Sequence, residues 1–307
     1  MLEMSEREKF LMDLQGFLHV KDFLSTAEVR KLNEAVDANV DEEAENFFPK
    51  GAKYGGGMDG QFNKGTAEGM LTWEQPWCQP FRDMMAHPKL IPYLNTLFGR
   101  GWRLDELPWV SFAKKGTGGH GLHGTTSRLF DGAFFYHYAN GQIRTGVAIF
   151  QFQLADIKPG DGGIAVIPGS HKANFECPED IMLYSANREV VRNVAGKAGD
   201  MVIFLEATIH GALPWTAEHN RRSLFYTYGP KYLSFQSYYI ETSQPEWMSE
   251  LTDVQRAVLE PAYNYSRPLL EDDGATLVHP GQEPTPHRPR NKDEMANSEG
   301  RGRLPPR

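Results

Sequence analysis

Only two cysteines, Cys78 and Cys177, occur in the 307 residues. Two are too few for a disulfide framework and offer no thiolate cluster for a metal, so a reducing compartment is expected. No apolar run approaches the length of a membrane span, and the first residues, MLEMSEREKFLMDLQGF, carry charges where a secretory signal needs an unbroken apolar stretch. A cytoplasmic protein without a membrane partner is the expectation. Basic excess is missing too: 32 Lys+Arg against 40 Asp+Glu give a formal net charge of -8. That balance argues against a nucleic-acid footprint and for a small-molecule substrate. There is no internal repeat, and nothing in the pattern encodes an oligomeric state.

What is present falls into three parts. Residues 1–105 read as mainly helical. Ser25-Thr26-Ala27-Glu28 forms a capping box, and Leu24, Val29, Leu32, Ala35 and Val36 then share one helical face that should pack on a sheet. Before it, Gly16 to Val20 has strand-like composition. The glycine-rich stretch from Phe47 to Gly69 reads as a surface loop whose length suits either a substrate-covering lid or plain flexibility, and helical patterning returns from Pro80 to Phe98, interrupted at Pro88. Residues 106–236 switch to short β segments punctuated by Gly, Pro and Asp: LPWVSFAKK, TGVAIFQFQLADI, GGIAVIPG, REVVRNVAG, DMVIFLEAT and RSLFYTYG. This pattern predicts a mainly β fold with flanking helices, a sandwich or jelly roll. Residues 237–279 close the same domain (1–279) with a helix near Met248 to Leu259. Residues 280–307, rich in Pro, Arg and Gly, have too little apolar surface to order and read as a flexible tail.

The chemistry-bearing residues cluster in three blocks. A hydrophobic strand delivers His210, and Arg221 follows at the head of the next strand. Neutral imidazole suits Fe(II), and a planar guanidinium pairs bidentately with a carboxylate. Upstream, Lys114 to Thr125 runs from a strand end into a glycine-rich loop presenting His120 and His123. Between these lies Pro159 to Lys172, with Gly162-Gly163 and Ile167-Pro168-Gly169-Ser170-His171-Lys172.

In this order the blocks resemble the phytanoyl-CoA dioxygenase family of Fe(II)/2-oxoglutarate-dependent oxygenases, over roughly residues 10 to 230. The resemblance implies a double-stranded β-helix (cupin-like jelly roll) and a dioxygenase that uses O2. It leaves room for ascorbate as an auxiliary reductant. It also implies His123 and His210 as metal ligands and Arg221 as the clamp on 2-oxoglutarate. The family's metal-binding aspartate is replaced here by Thr125, a poor ligand for Fe(II).

Three readings of that gap stand side by side. Iron is held by two histidines with an extra open position, as in the related halogenases; or Asp131 swings in as the carboxylate; or the site has lost metal. His137 is a rival first ligand and Arg222 a register-slip alternative to Arg221. Hydroxylation of a small molecule with release of succinate and CO2 is the leading expectation. A halogenase-like variant, a non-catalytic binding protein and an unrelated cupin metalloprotein are the alternatives.

Plainer roles are open to several of these residues. His210 could be an ordinary sheet histidine. His171 and Lys172 are expected to stabilise the signature loop, Lys114 and Lys115 to reach solvent rather than meet 2-oxoglutarate or an acidic substrate, His120 to be exposed on its loop, and His219 to lie in the turn before Arg221. Trp109, Phe150, Phe152 and Trp215 are candidate pocket or core aromatics. Either the Gln151/Gln153 face or the Phe150/Phe152 face of their strand looks into the barrel.

Overall fold

Capping and periodicity shape the N-terminal third. In this computed structural model, which describes residues 2–44, 47–48, 64–124, 133–235, 246–262 and 267–280, α1 (Glu6–Gln15) and α2 (Thr26–Asn39) each begin at a complete capping box, on Ser5/Glu8 and Ser25/Glu28. Between them β1 (Phe17–Val20) enters a sheet. The stretch read as a loop holds a short strand, β2 (Gly65–Ala67), where it is described. The helical region broken at Pro88 resolves into α3 (Gln79–Met84), a 3-10 turn Pro88–Leu90, and α4 (Ile91–Phe98).

The β region supplies β3 (Arg103–Ala113), β4 (His120–His123), β5 (Tyr136–Ala139), β6 (Gln142–Thr145), β7 (Ala148–Gln153) and β8 (Gly163–Val166). After a short helix α5 (Glu179–Met182) come β9 (Arg192–Asn193), β10 (Met201–Leu205), β11 (His210–Leu213) and β12 (Arg221–Gly229). One six-stranded sheet has the order β1-β10-β7-β12-β3-β2. A four-stranded sheet has the order β4-β11-β8-β9. All the pairings are antiparallel. Together they make the mainly β, double-stranded β-helix jelly roll expected from the sequence.

Alternation along the large sheet decides which way each strand faces. Phe150, Phe152, Ile203, Leu224, Tyr226 and Tyr228 point outward and pack with Leu32, Val36, Phe81 and Leu94 of the helices. The phenols of Tyr226 and Tyr228 donate to the carbonyls of Phe81 and Met85 at 2.6 and 2.8 Å, so their burial leaves no hydroxyl unmet. The opposite face, with Val202, Phe204 and Phe225, meets Ile164 and Val166 of the small sheet. Gln151 and Gln153 therefore look into the barrel, and Gln151 Nε2 donates to Ser223 Oγ at 3.1 Å.

Three boundaries differ from expectation. REVVRNVAG yields a 3-10 turn at Arg188–Val190 and only a two-residue strand, because β9 pairs with the last half of β8 alone. The C-terminal helix divides into a 3-10 turn Glu246–Glu250 and α6 (Asp253–Leu259), the latter started by a Thr252/Gln255 capping box. His210 does not end the DMVIFLEAT strand. That strand stops at Leu205, and His210 opens β11 in the other sheet. Thr125, Asp131 and residues 281–307 lie outside the described residues. Among the described residues no helix is long and apolar enough to cross a membrane.

Candidate active site

His123 and His210 are direct cross-strand partners on β4 and β11. Their ring centroids stand 4.2 Å apart. Each imidazole is fixed in the same way: His123 Nδ1 lies 2.9 Å from the carbonyl of Gly121, and His210 Nδ1 lies 2.7 Å from that of Thr208. A carbonyl only accepts, so both Nδ1 atoms carry the proton. Both Nε2 lone pairs are left for a cation, the usual arrangement of a metal-binding histidine. Burial pushes the proton affinity of His210 down to about 4. Burial and the neighbouring His210 push that of His123 down as well, although its ring keeps a solvent-facing edge. Neutral imidazoles are the form a metal requires.

A β-bulge adds a third ring. β11 advances two residues, from His210 to Ala212, while β4 advances three, from His123 to His120. In a regular strand residues three apart point to opposite faces, and the extra residue cancels that reversal. The His120 and His123 rings accordingly lie 4.6 Å apart. Gly211 makes room, since a Cβ there would stand 2.6 Å from the carbonyl oxygen of His120. His120 thus belongs to a strand and faces the site, where the sequence suggested an exposed loop position. Burial and the nearby His123 and Lys64 lower its proton affinity to about 3.

The signature block holds this arrangement from behind. Ser170 Oγ accepts from the backbone N–H of Ile209 at 2.8 Å and donates to Ile167 O at 2.6 Å, pinning the residue before His210. Thr208 Oγ1 donates to Gly16 O at 2.8 Å. His171 Nε2 donates to Asp13 O at 3.1 Å, and Lys172 pairs with the Asp13 carboxylate at 3.1 Å. The same carboxylate accepts the Tyr136 hydroxyl at 2.6 Å. These contacts are of the loop-stabilising kind expected for His171 and Lys172.

On the facing sheet, alternation separates the two arginines. Arg221 pairs with Ala113 of β3 and turns inward, in phase with Ser223 and Phe225. Its guanidinium is buried, and Nε has no hydrogen-bond partner among the described residues. Burial lowers its pKa to about 10, so it stays cationic at neutral pH. Arg222 turns outward to Glu42 and Asp37 on the helical side. A narrow cleft joins Arg221 to His120, Lys64, Ser111, Thr117 and Gly163. A larger cleft of 470 Å³, bordered by residues such as Phe10, Asn95 and Tyr138, lies elsewhere.

Several residues fall away from this cluster. His137 is exposed on the β5–β6 hairpin, its ring stacked near Phe135. Lys114 lies over the Phe48 ring and Lys115 pairs with Glu218. His219 bonds the carbonyl of Asp156. Trp109 stacks on Phe225 at 4.1 Å inside the barrel, whereas Trp215 packs with Ala113 and Ile157 and donates to His219 O at 2.7 Å. Two residues in the site escaped the sequence reading. Lys64, its Nζ 4.9 Å from the Trp109 ring centre, sits in a glycine-rich stretch with no motif around it. Glu206, whose Oε2 is 3.9 Å from His210 Nε2, is hidden in what looked like a strand continuation. Its spacing of four from His210 is the one signal that could have flagged it.

Two facing sheets with an imidazole pair on one and an inward arginine on the other define the cupin-like jelly roll of 2-oxoglutarate oxygenases. The model of the phytanoyl-CoA dioxygenase (PhyH) family matches residues 12–223, and the chain belongs to that family of Fe(II)/2-oxoglutarate-dependent oxidoreductases. Among solved structures, HygX from Streptomyces hygroscopicus with nickel, 2-oxoglutarate and hygromycin B bound is similar at a TM-score of 0.61 and 20% identity, over 75% of this chain and 89% of that one. The non-heme alpha ketoglutarate dependent epimerase SnoN from nogalamycin biosynthesis matches at 0.54 and 18%, over 78% and 91%. The carbocyclase SnoK of the same biosynthesis matches at 0.55 and 18%, over 81% and 91%. At these identities the likeness concerns architecture. No curated protein matches the sequence.

Proposed function

We propose that this protein is a non-haem Fe(II)/2-oxoglutarate-dependent dioxygenase that hydroxylates a small molecule and releases succinate and CO2. His123 and His210 hold iron through Nε2, and Arg221 binds the far carboxylate of 2-oxoglutarate. The observation that carries the reading is the pairing of two Nδ1-anchored imidazoles with a buried guanidinium whose Nε is unmet. An uncompensated buried cation is costly, and a carboxylate is the natural counter-charge. When bound, iron and 2-oxoglutarate supply O2 activation coupled to oxidative decarboxylation.

The chain's own residues do the rest. Gly121 and Thr208 carbonyls keep both imidazoles in the ligating tautomer. Lys64 adds a second positive charge to the cleft of Arg221, and His120, neutral, offers a hydrogen-bonding nitrogen there. Trp109 and Phe225 present an apolar wall that excludes water and against which a C–H bond can be placed. A small organic substrate is in keeping with the similar structures, which hold hygromycin B in HygX and nogalamycin RO in SnoN.

Anaerobic addition of Fe(II) and 2-oxoglutarate to the metal-free protein is expected to develop the weak visible charge-transfer band of the chelate. His210→Ala is expected to abolish it. A flat spectrum from the folded wild-type protein overturns the proposal.

A further inference from the structure

The family's metal-binding aspartate is replaced in the sequence by Thr125, but another carboxylate, that of Glu206, stands 3.9 Å from His210. We infer that Glu206 is the third protein ligand of the metal, completing a two-histidine, one-carboxylate set with His123 and His210. The inference rests on the iron-site reading above and names a residue that reading does not use.

Geometry carries it. Glu206 Oε2 approaches His210 at Nε2, the ligating nitrogen, and not at Nδ1, which is occupied by Thr208 O. The His123 and His210 ring centroids are themselves 4.2 Å apart, so the carboxylate stands next to a paired imidazole. The backbone that carries it is held: Glu206 N donates to Val147 O at 3.0 Å, and Thr208 N to Leu205 O at 2.9 Å. Gly124, the residue after His123, lies directly against this turn. A Cβ there would stand 2.7 Å from the carbonyl oxygens of both Glu206 and Thr208, so the first-ligand motif and the Glu206 turn are one packed unit.

Distances agree with a site one side-chain movement from closure. Metal–nitrogen and metal–oxygen bonds are each about 2.0–2.2 Å, so two atoms on one ion are roughly 3 Å apart when adjacent in an octahedron and at most about 4.2 Å. The 3.9 Å between Oε2 and Nε2 is inside that limit. Among the described residues no three His, Cys, Asp or Glu side chains stand close enough as placed to hold a metal ion, so binding requires the Glu206 carboxylate to move toward His210 by about 1 Å. The result is the facial arrangement that leaves positions open for a chelating co-substrate and O2.

The test is Mn(II) binding, followed by the loss of the free-ion EPR signal in the presence of 2-oxoglutarate, for wild type, His210→Ala, Glu206→Ala and the isosteric Glu206→Gln. Glu206→Ala and Glu206→Gln are expected to weaken Mn(II) by at least about ten-fold, and added formate to restore part of the affinity in Glu206→Ala. Unfolding midpoints of the metal-free proteins separate loss of a ligand from loss of the fold, and Glu206→Gln keeps the shape if the alanine variant collapses. Wild-type affinity in both Glu206 variants, with binding lost in His210→Ala, overturns the inference and leaves the iron site standing with its carboxylate elsewhere or replaced by a halide. Equal, weak binding by wild type and His210→Ala overturns the iron site itself.

Discussion

Arg221 and Arg222 are chemically identical neighbours with opposite fates, and the difference is strand parity alone. The sequence shows that one must face inward but not which, because that depends on the register with Ala113. Replacing Arg221 with Gln removes a charge-assisted contact worth about 1.5–3 kcal/mol. The KM for 2-oxoglutarate should therefore rise by roughly 10- to 100-fold in succinate-release kinetics. Arg222→Ala should leave that KM unchanged and lower stability by about 3 kcal/mol in urea, since it strips the nearly buried Glu42 carboxylate of its cation. His123 and His210 were legible as candidates from their motifs. Lys64 lies in no recognisable pattern, and the four-residue spacing of Glu206 from His210 gains meaning only once the strand is seen to stop at Leu205.

At the scale of elements, helix starts were the most readable feature, because a capping box is local chemistry. Ser25 Oγ accepts from Glu28 N, and the Glu28 carboxylate returns to Ser25 N at 2.7 Å while also bonding His87 at 3.0 Å. Removing the cap by Ser25→Ala should cost about 1 kcal/mol in chemical unfolding. Burial alone would raise the Glu28 pKa, but the Ser25 bonds and His87 override it and bring it from 4.5 to about 2. A carboxyl depressed in the folded state stabilises above its unfolded pKa and loses that contribution as pH falls through its folded one. The stability gap between wild type and Glu28→Gln should thus be full above about pH 5 and gone near pH 2 in urea titrations at each pH. Strand ends were harder to read. The bulge of β4 and the sheet change between Leu205 and His210 depend on pairing partners far away in sequence, so Gly-Thr-Gly-Gly-His-Gly reads as loop until β11 is laid beside it.

Across the whole molecule, the jelly roll was legible because short, punctuated β segments have few other ways to bury themselves. What stayed hidden was its polarity: the glutamine face of β7 lines the interior while the phenylalanine face meets the helices. The candidate ligands come from the small sheet and the arginine from the large one. Metal plus 2-oxoglutarate should therefore tie the two sheets together and stabilise only the native state. At 100 times the dissociation constant the gain is about 2.7 kcal/mol. A rise in the thermal midpoint with Mn(II) and 2-oxoglutarate, absent in His123→Ala, is the expected outcome of differential scanning calorimetry.

The carboxylate of Asp13 receives Tyr136 and Lys172 at once, while its carbonyl receives His171. A protease nicking the peptide just after α1, or an expression design that trims the first fifteen residues, would cut the guy-rope of the hairpin and of the turn that steadies His210. Such shortened versions would then fail at catalysis for want of bracing, with every reactive group still in the polypeptide.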